Sequence, residues 1–161
     1  MKKVILALKN TTFLSYKGVM ICLLSFFWGC SGSGNSEFEQ LADSLKREYG
    51  IQLDSQIQRI LVLTEEDCPS CNRYFAKAVI KYVDDPHSII IANASGSRVD
   101  ITALIQAEKA VNNVYVARTY NKQNSFVNKT KVIYLEHNKI DTVVTINARE
   151  LERQFKYIFE N

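Results

Sequence analysis

The chain has 161 residues, with 20 Lys and Arg against 17 Asp and Glu and a formal net charge of +3. Four of those cations (Lys2, Lys3, Lys9 and Lys17) stand in the first 29 residues, which contain no acid; the rest of the chain then holds 16 against 17, a net charge of −1. The positive excess belongs to the leader, so it gives no ground for a nucleic-acid partner. The four cysteines, Cys22, Cys30, Cys68 and Cys71, are too few for a disulfide-stapled scaffold. The stretch beyond residue 36, about 125 residues, is one domain's worth and can bury its own core.

The basic leader runs into a short apolar stretch, Gly18 to Trp28. That stretch is shorter than the roughly 20 apolar residues a bilayer span requires, and the pattern is that of a secretory signal. Gly29-Cys30 follows, then Ser31-Gly32-Ser33-Gly34-Asn35-Ser36. A small residue before a cysteine and a polar tether after it resembles a bacterial lipoprotein signal, with Phe27 and Trp28 bulkier than usual at their positions. The resemblance implies a signal peptide over 1–29, a lipidated Cys30 opening a Ser/Gly tether over 30–36, and a domain over 37–161. It implies a membrane-anchored protein of the cell envelope. Cys22 fits less well, since Ile21 precedes it and no linker follows. The other reading is an uncleaved signal anchor with Cys30 a bystander, which also puts the domain outside the cytoplasm beside a membrane.

The body alternates helix and strand. Ser36 to Glu39 reads as a capping box, and Phe38, Leu41, Leu45 and Tyr49 share one face of the helix that ends at Gly50. Ile57–Leu63 reads as a buried strand. A helix follows from about Pro69 to Val83, with Phe75, Val79, Tyr82 and Val83 inward; Pro69 suits its first turn. The turn Asp84–His87 leads to Ser88–Ala92, an apolar run of the kind buried on both faces of a parallel sheet. A loop at 95–97 precedes a helix capped by Asp100 and running to about Val111, with Ile101, Leu104 and Ile105 inward. Val114–Ala117 is an edge strand or connector, and 118–129 is a polar loop or a recognition insert. Lys131–Leu135 and Ile140–Ile146 form a hairpin around residues 136–139. Asn147 to Glu150 opens a last helix with Leu151, Phe155, Ile158 and Phe159 on its apolar side.

Cys68-Pro69-Ser70-Cys71 sits between the first strand and its helix. Two cysteines one helical turn apart can close or open a small disulfide ring. The first sits where the helix offers unpaired N–H groups and the positive end of its dipole, which favours the thiolate. Glu65, Glu66 and Asp67 oppose that effect and Arg73 aids it; on a solvated loop the acids lose, and a moderately lowered pKa is expected for Cys68.

A β-α-β unit carrying CxxC, followed by an antiparallel hairpin and a closing helix, resembles the thioredoxin fold over residues 50–161. The resemblance implies an α/β three-layer fold, with a central mixed sheet, helices on both faces and a C-terminal β-hairpin plus helix. It implies thiol–disulfide oxidoreductase activity without a cofactor. Cys68 becomes the attacking thiolate and Cys71 the resolving thiol, with Pro69 and Ser70 between them. The partners implied are envelope proteins bearing a disulfide or dithiol, and a transmembrane thiol carrier as electron source. Three positions depart from the family. Asp67 stands where a Trp precedes the first cysteine. Val62 stands where a buried acid lies on the strand. Thr130-Lys131 stands where a cis-proline faces the sulfurs, and because a cis bond before a non-proline costs about 2.5–4 kcal/mol, a trans bond is expected there.

Other readings compete. CxxC could be half of a zinc site, for which only His87, His137 or carboxylates could complete the set. It could be a static disulfide in a thioredoxin-like binding or assembly lipoprotein. His87 and His137 read as solvated turn residues. Tyr74 and Phe75 read as core.

Overall fold

A computed structural model describes residues 33–65, 68–93, 100–117, 124 and 126–160, with side chains from residue 37 onward. Cys30, Glu66, Asp67, the loop at 95–97 and most of the 118–129 segment lie outside the described residues. Contacts separate residues 1–33 from a compact unit, Gly34–Asn161, and the fold below is that of the second.

Helix α1 (Ser33–Tyr49) leads to strand β1 (Arg59–Thr64), helix α2 (Pro69–Val79) with a 3-10 turn at Ile80–Tyr82, and β2 (Ser88–Asn93). Helix α3 (Thr102–Glu108), β3 (Val114–Ala117), the hairpin β4 (Lys131–Glu136) and β5 (Lys139–Thr145), and helix α4 (Leu151–Phe159) complete it. The five strands form one mixed sheet in the order β3-β2-β1-β4-β5. β1, β2 and β3 run parallel, with Arg59 opposite Ser88 and Thr64 opposite Asn93, while β4 lies antiparallel to both β1 and β5.

The sheet separates two cores. Both crossovers, β1-α2-β2 and β2-α3-β3, advance in the same direction, and crossovers of one hand then place their helices on the same face. That face packs Leu61, Leu63, Ile90 and Val132 under Phe75 and Val79 of α2, Leu104 of α3 and Ile158 of α4. The opposite face packs Ile60, Val62, Ile91 and Ile133 under Leu41 and Leu45 of α1 and under Val127. The return from the edge strand β3 to β4 therefore crosses the α1 face. Asn93 Nδ2 donates to the Val127 carbonyl (3.2 Å) and Asn124 Nδ2 donates to Ser44 Oγ (2.7 Å) along that path.

Element ends differ from the sequence reading in instructive ways. The helix expected to be capped at Ser36 begins at Ser33, so Ser36 lies within it and the expected tether gives up 33–36 to helix. β1 starts at Arg59 because the N–H groups of Gln58 and Arg59 turn to the His87 carbonyl (2.9 and 3.3 Å) before the ladder begins. The α2 helix ends at Val79 and tightens into the 3-10 turn, while α3 covers Thr102–Glu108, because Ala110 and Val111 close on the Ala107 carbonyl. The Asp100 carboxylate accepts the Thr102 N–H (3.0 Å), one residue ahead of the N-cap, Ile101. The hairpin loop has two residues, not four: Glu136 pairs with Lys139, and His137 and Asn138 both take positive φ (50° and 58°), as a type I′ turn requires. Gly50 closes α1 at φ 70°, its N–H bonded to the Lys46 carbonyl (3.0 Å).

Candidate functional site

The motif stands at the C-terminal end of β1, where Thr64 is the last ladder residue. Cys68 is the N-cap of α2, with extended backbone (φ −107°, ψ 102°), and Pro69 opens the helix where a missing N–H costs nothing. Cys71 N–H, one of the groups with no partner in the first turn, donates to Cys68 Sγ at 3.2 Å. The Cys68 and Cys71 side chains are joined as a disulfide, with Cα atoms 5.1 Å apart. Their environments differ: Cys68 is half-buried, whereas Cys71 is 1 % exposed inside the α2 core. Pro69, Ser70 and Arg73 are exposed around them. An incoming sulfur therefore meets Cys68 before Cys71.

Thr130 and Lys131 lie where the resemblance puts the cis-proline. Among the described residues there is no cis peptide bond, so Thr130–Lys131 is trans. Thr130 is buried, and its carbonyl accepts the Ile146 N–H (2.9 Å). Lys131 pairs with Val62 and Thr145 and is nearly buried. Burial, with a contribution from Lys129, pulls its pKa below the usual lysine value. Asp67 and Cys30 lie outside the described residues, so their contribution to the site is not part of this geometry.

One site residue was missed in the sequence. Asn72, 1 % exposed, follows Cys71 in the first turn of α2 and points into the sheet. Its oxygen Oδ1 accepts the Thr130 hydroxyl proton at 2.8 Å. The signal was present in the spacing: Asn72, Phe75, Ala76 and Val79 form one i, i+3, i+4, i+7 stripe, and an amide on such a stripe marks a buried polar contact. Phe75 is core as expected, but Tyr74 is 61 % exposed, since it falls one position outside that stripe.

Both histidines lie at the other end of the sheet. His87 precedes β2 at the Arg59 end of β1, and its ring Nδ1 meets the Gln56 carbonyl (2.9 Å). His137 is at the hairpin tip beyond Tyr134, which pairs with Arg59. A six-residue strand separates those positions from the cysteines, about 20 Å of chain. Among the described residues, no group of three or more His, Cys, Asp or Glu side chains converges as a metal set would, and no helix is long and apolar enough to cross a membrane.

Comparison with protein-family models, curated proteins and solved structures finds no match for this chain. A half-buried cysteine at a helix N-terminus, linked to a buried one a turn further on, can act as an electrophile when oxidised. When reduced, it can act as a nucleophile with its resolving group already in place.

Proposed function

We propose that this protein is a thiol–disulfide oxidoreductase of the cell envelope, built on a thioredoxin-like domain and held to a membrane by a lipid on Cys30. The observation that carries this reading is the asymmetry of the pair: Cys68 is half-buried at the helix N-cap and Cys71 is enclosed behind it. In the reducing direction, the Cys68 thiolate attacks one sulfur of a partner disulfide. That S–S bond breaks, the leaving sulfur takes up a proton, and a mixed disulfide remains. Cys71 then gives up its proton and attacks Cys68 Sγ. The second partner sulfur leaves and is protonated, and two electrons have passed from the pair to the partner. The partner is an envelope protein with an accessible disulfide. Return to the dithiol needs a two-electron thiol reductant, and outside the cytoplasm a transmembrane thiol carrier fills that role. With an oxidised pair and a dithiol partner the same steps run in reverse.

A specific observation favours a second reading, a binding or assembly lipoprotein with a static disulfide. The Thr130 carbonyl, on the backbone where the resemblance implies that a substrate strand docks, is already bonded to Ile146 N–H.

The deciding experiment equilibrates the purified domain with glutathione buffers. A potential between about −120 and −270 mV, the span of thioredoxin-fold exchangers, fits the oxidoreductase. A potential below about −300 mV, or a pair that does not equilibrate, fits the static disulfide and defeats the enzyme reading.

A further inference from the structure

Three buried polar side chains meet behind the cysteines. They are Thr64 at the end of β1, Asn72 in the first turn of α2 and Thr130 at the entrance to β4, exposed by 0 %, 1 % and 1 %. The Thr130 hydroxyl joins the other two. It accepts the Thr64 backbone N–H at 3.1 Å and gives its single proton to Asn72 Oδ1 at 2.8 Å. The contacts from Thr130 Oγ1 to Thr64 Oγ1 and to the Thr64 carbonyl, at 3.4 and 3.5 Å, are longer.

Stability alone is a weak reason for this arrangement. Asparagine is a poor residue for a helix interior, and replacing both partners of a buried hydrogen bond by apolar groups of like shape is often nearly neutral. What the bond does supply is a fixed direction between the sheet and the first turn of α2. That turn carries the two contacts that define the sulfur's surroundings. Asn72 N–H donates to the Cys68 carbonyl (2.9 Å), and the preceding residue, Cys71, aims its N–H at Cys68 Sγ (3.2 Å). A small rotation of the turn swings that N–H away from the sulfur, and hydrogen bonds weaken steeply as they bend.

We infer that Thr130 and Asn72 are positioning residues for Cys68, holding the first turn of α2 so that the Cys71 N–H stabilises the Cys68 thiolate. The inference rests on the exchange reading above. It gives Thr130 a role that the trans Thr130–Lys131 bond leaves open: the hydroxyl bond, rather than a proline ring, ties the start of β4 to the motif.

The test titrates Cys68 by thiolate absorbance in the reduced protein and measures the reduction potential against glutathione, for wild type, Thr130→Val, Asn72→Ala and Thr130→Ser. Thr130→Val and Asn72→Ala are expected to raise the Cys68 pKa by about one unit, which lowers the thiolate fraction at neutral pH by up to about tenfold. They are also expected to shift the glutathione equilibrium toward the disulfide by up to the same factor, about 30 mV. Thr130→Ser, which keeps the hydroxyl, is expected to stay at wild type. In titration and potential the double variant is expected to match the single ones, because either removes the Thr130–Asn72 bond. Should Thr130→Val fail to fold, Asn72→Ala, at a helix position that favours alanine, carries the same expectation. Variants that lower Tm while leaving titration and potential unchanged overturn the positioning role. A wild-type pair that does not equilibrate with glutathione defeats the exchange reading instead, so the two failures are distinguishable.

Discussion

Two charged side chains, Asp85 at the far end of the sheet and Lys131 beside the site, show how placement sets a residue's contribution to stability. Asp85 is partly buried, which by itself raises its pKa. That effect is outweighed by the Ser88 hydroxyl and the His87 N–H, which donate to its carboxylate, and by the charges of Arg59 and His87, so the net shift is downward. A carboxyl with a lowered folded pKa stabilises the protein above its unfolded value of 3.8, and the benefit fades as pH falls through the folded value. Asp85→Asn is therefore expected to cost about 1–2 kcal/mol at neutral pH, by urea melts, and almost nothing in strong acid. Lys131 also has a lowered folded pKa, but here the charged form is the one that burial penalises. Its folded pKa lies below 10.5, so the unfolded chain holds the proton more firmly over the intervening range. Stability relative to Lys131→Met is then expected to rise as pH climbs from the lowered value to 10.5, and to be flat below it.

At the scale of elements, backbone turns and aromatic packing make separate tests. Gly50 holds φ 70° with nothing within 4 Å of where a Cβ would stand, so Gly50→Ala meets backbone strain alone, expected at about 1 kcal/mol in thermal or urea unfolding. Phe75 is fully buried, with the rings of Phe155 and Phe159 at 6.2 and 5.9 Å, and thereby joins α2 to α4. Phe75→Ala is expected to cost about 3–5 kcal/mol. Much of this level was legible beforehand. β3 has the expected ends, β2 runs one residue past its expected end, and the inward residues of α1, α2 and α4 follow their apolar periodicity. The element ends were less legible. Apolar Ile57 prolonged a run that the backbone leaves at Gln58, and the two left-handed residues of the hairpin loop carry no glycine to mark them. Tyr74 failed as core because hydrophobicity names a residue's preference, whereas the helical stripe decides its direction.

For the whole molecule, the cysteine pair was visible as a motif, and its asymmetry follows from helix position. The polar contact behind it was not visible, since Thr64 and Thr130 are 66 residues apart and meet only through the order of the sheet. The placement of Asn124 and Val127 on the α1 face was equally hidden, because a polar run carries no sign of which face it will traverse. The exchange reading makes a prediction at this scale. Cys71→Ser leaves Cys68 able to attack but unable to be released, so disulfide-linked partners are expected to accumulate and to vanish on reduction, by non-reducing gels. Cys68→Ser is expected to trap none. A Cys71→Ser protein that captures nothing favours the static disulfide.

The central position of β1 has a consequence for how the molecule comes into being. Its neighbour β2 follows after one short crossover, but its other neighbour, β4, comes only after two more elements and a long return. Closing such a span costs chain entropy before any contact repays it, so the β1–β4 seam belongs to the slow part of folding. Cys68 and Cys71 leave the ribosome well before Thr130 does, and the hydroxyl that orients the first turn of α2 reaches Asn72 only when that seam closes. On the exchange reading, Cys68 and Cys71 are thus ordinary thiols in the young chain, and their reactivity is acquired last, as a property of the finished sheet.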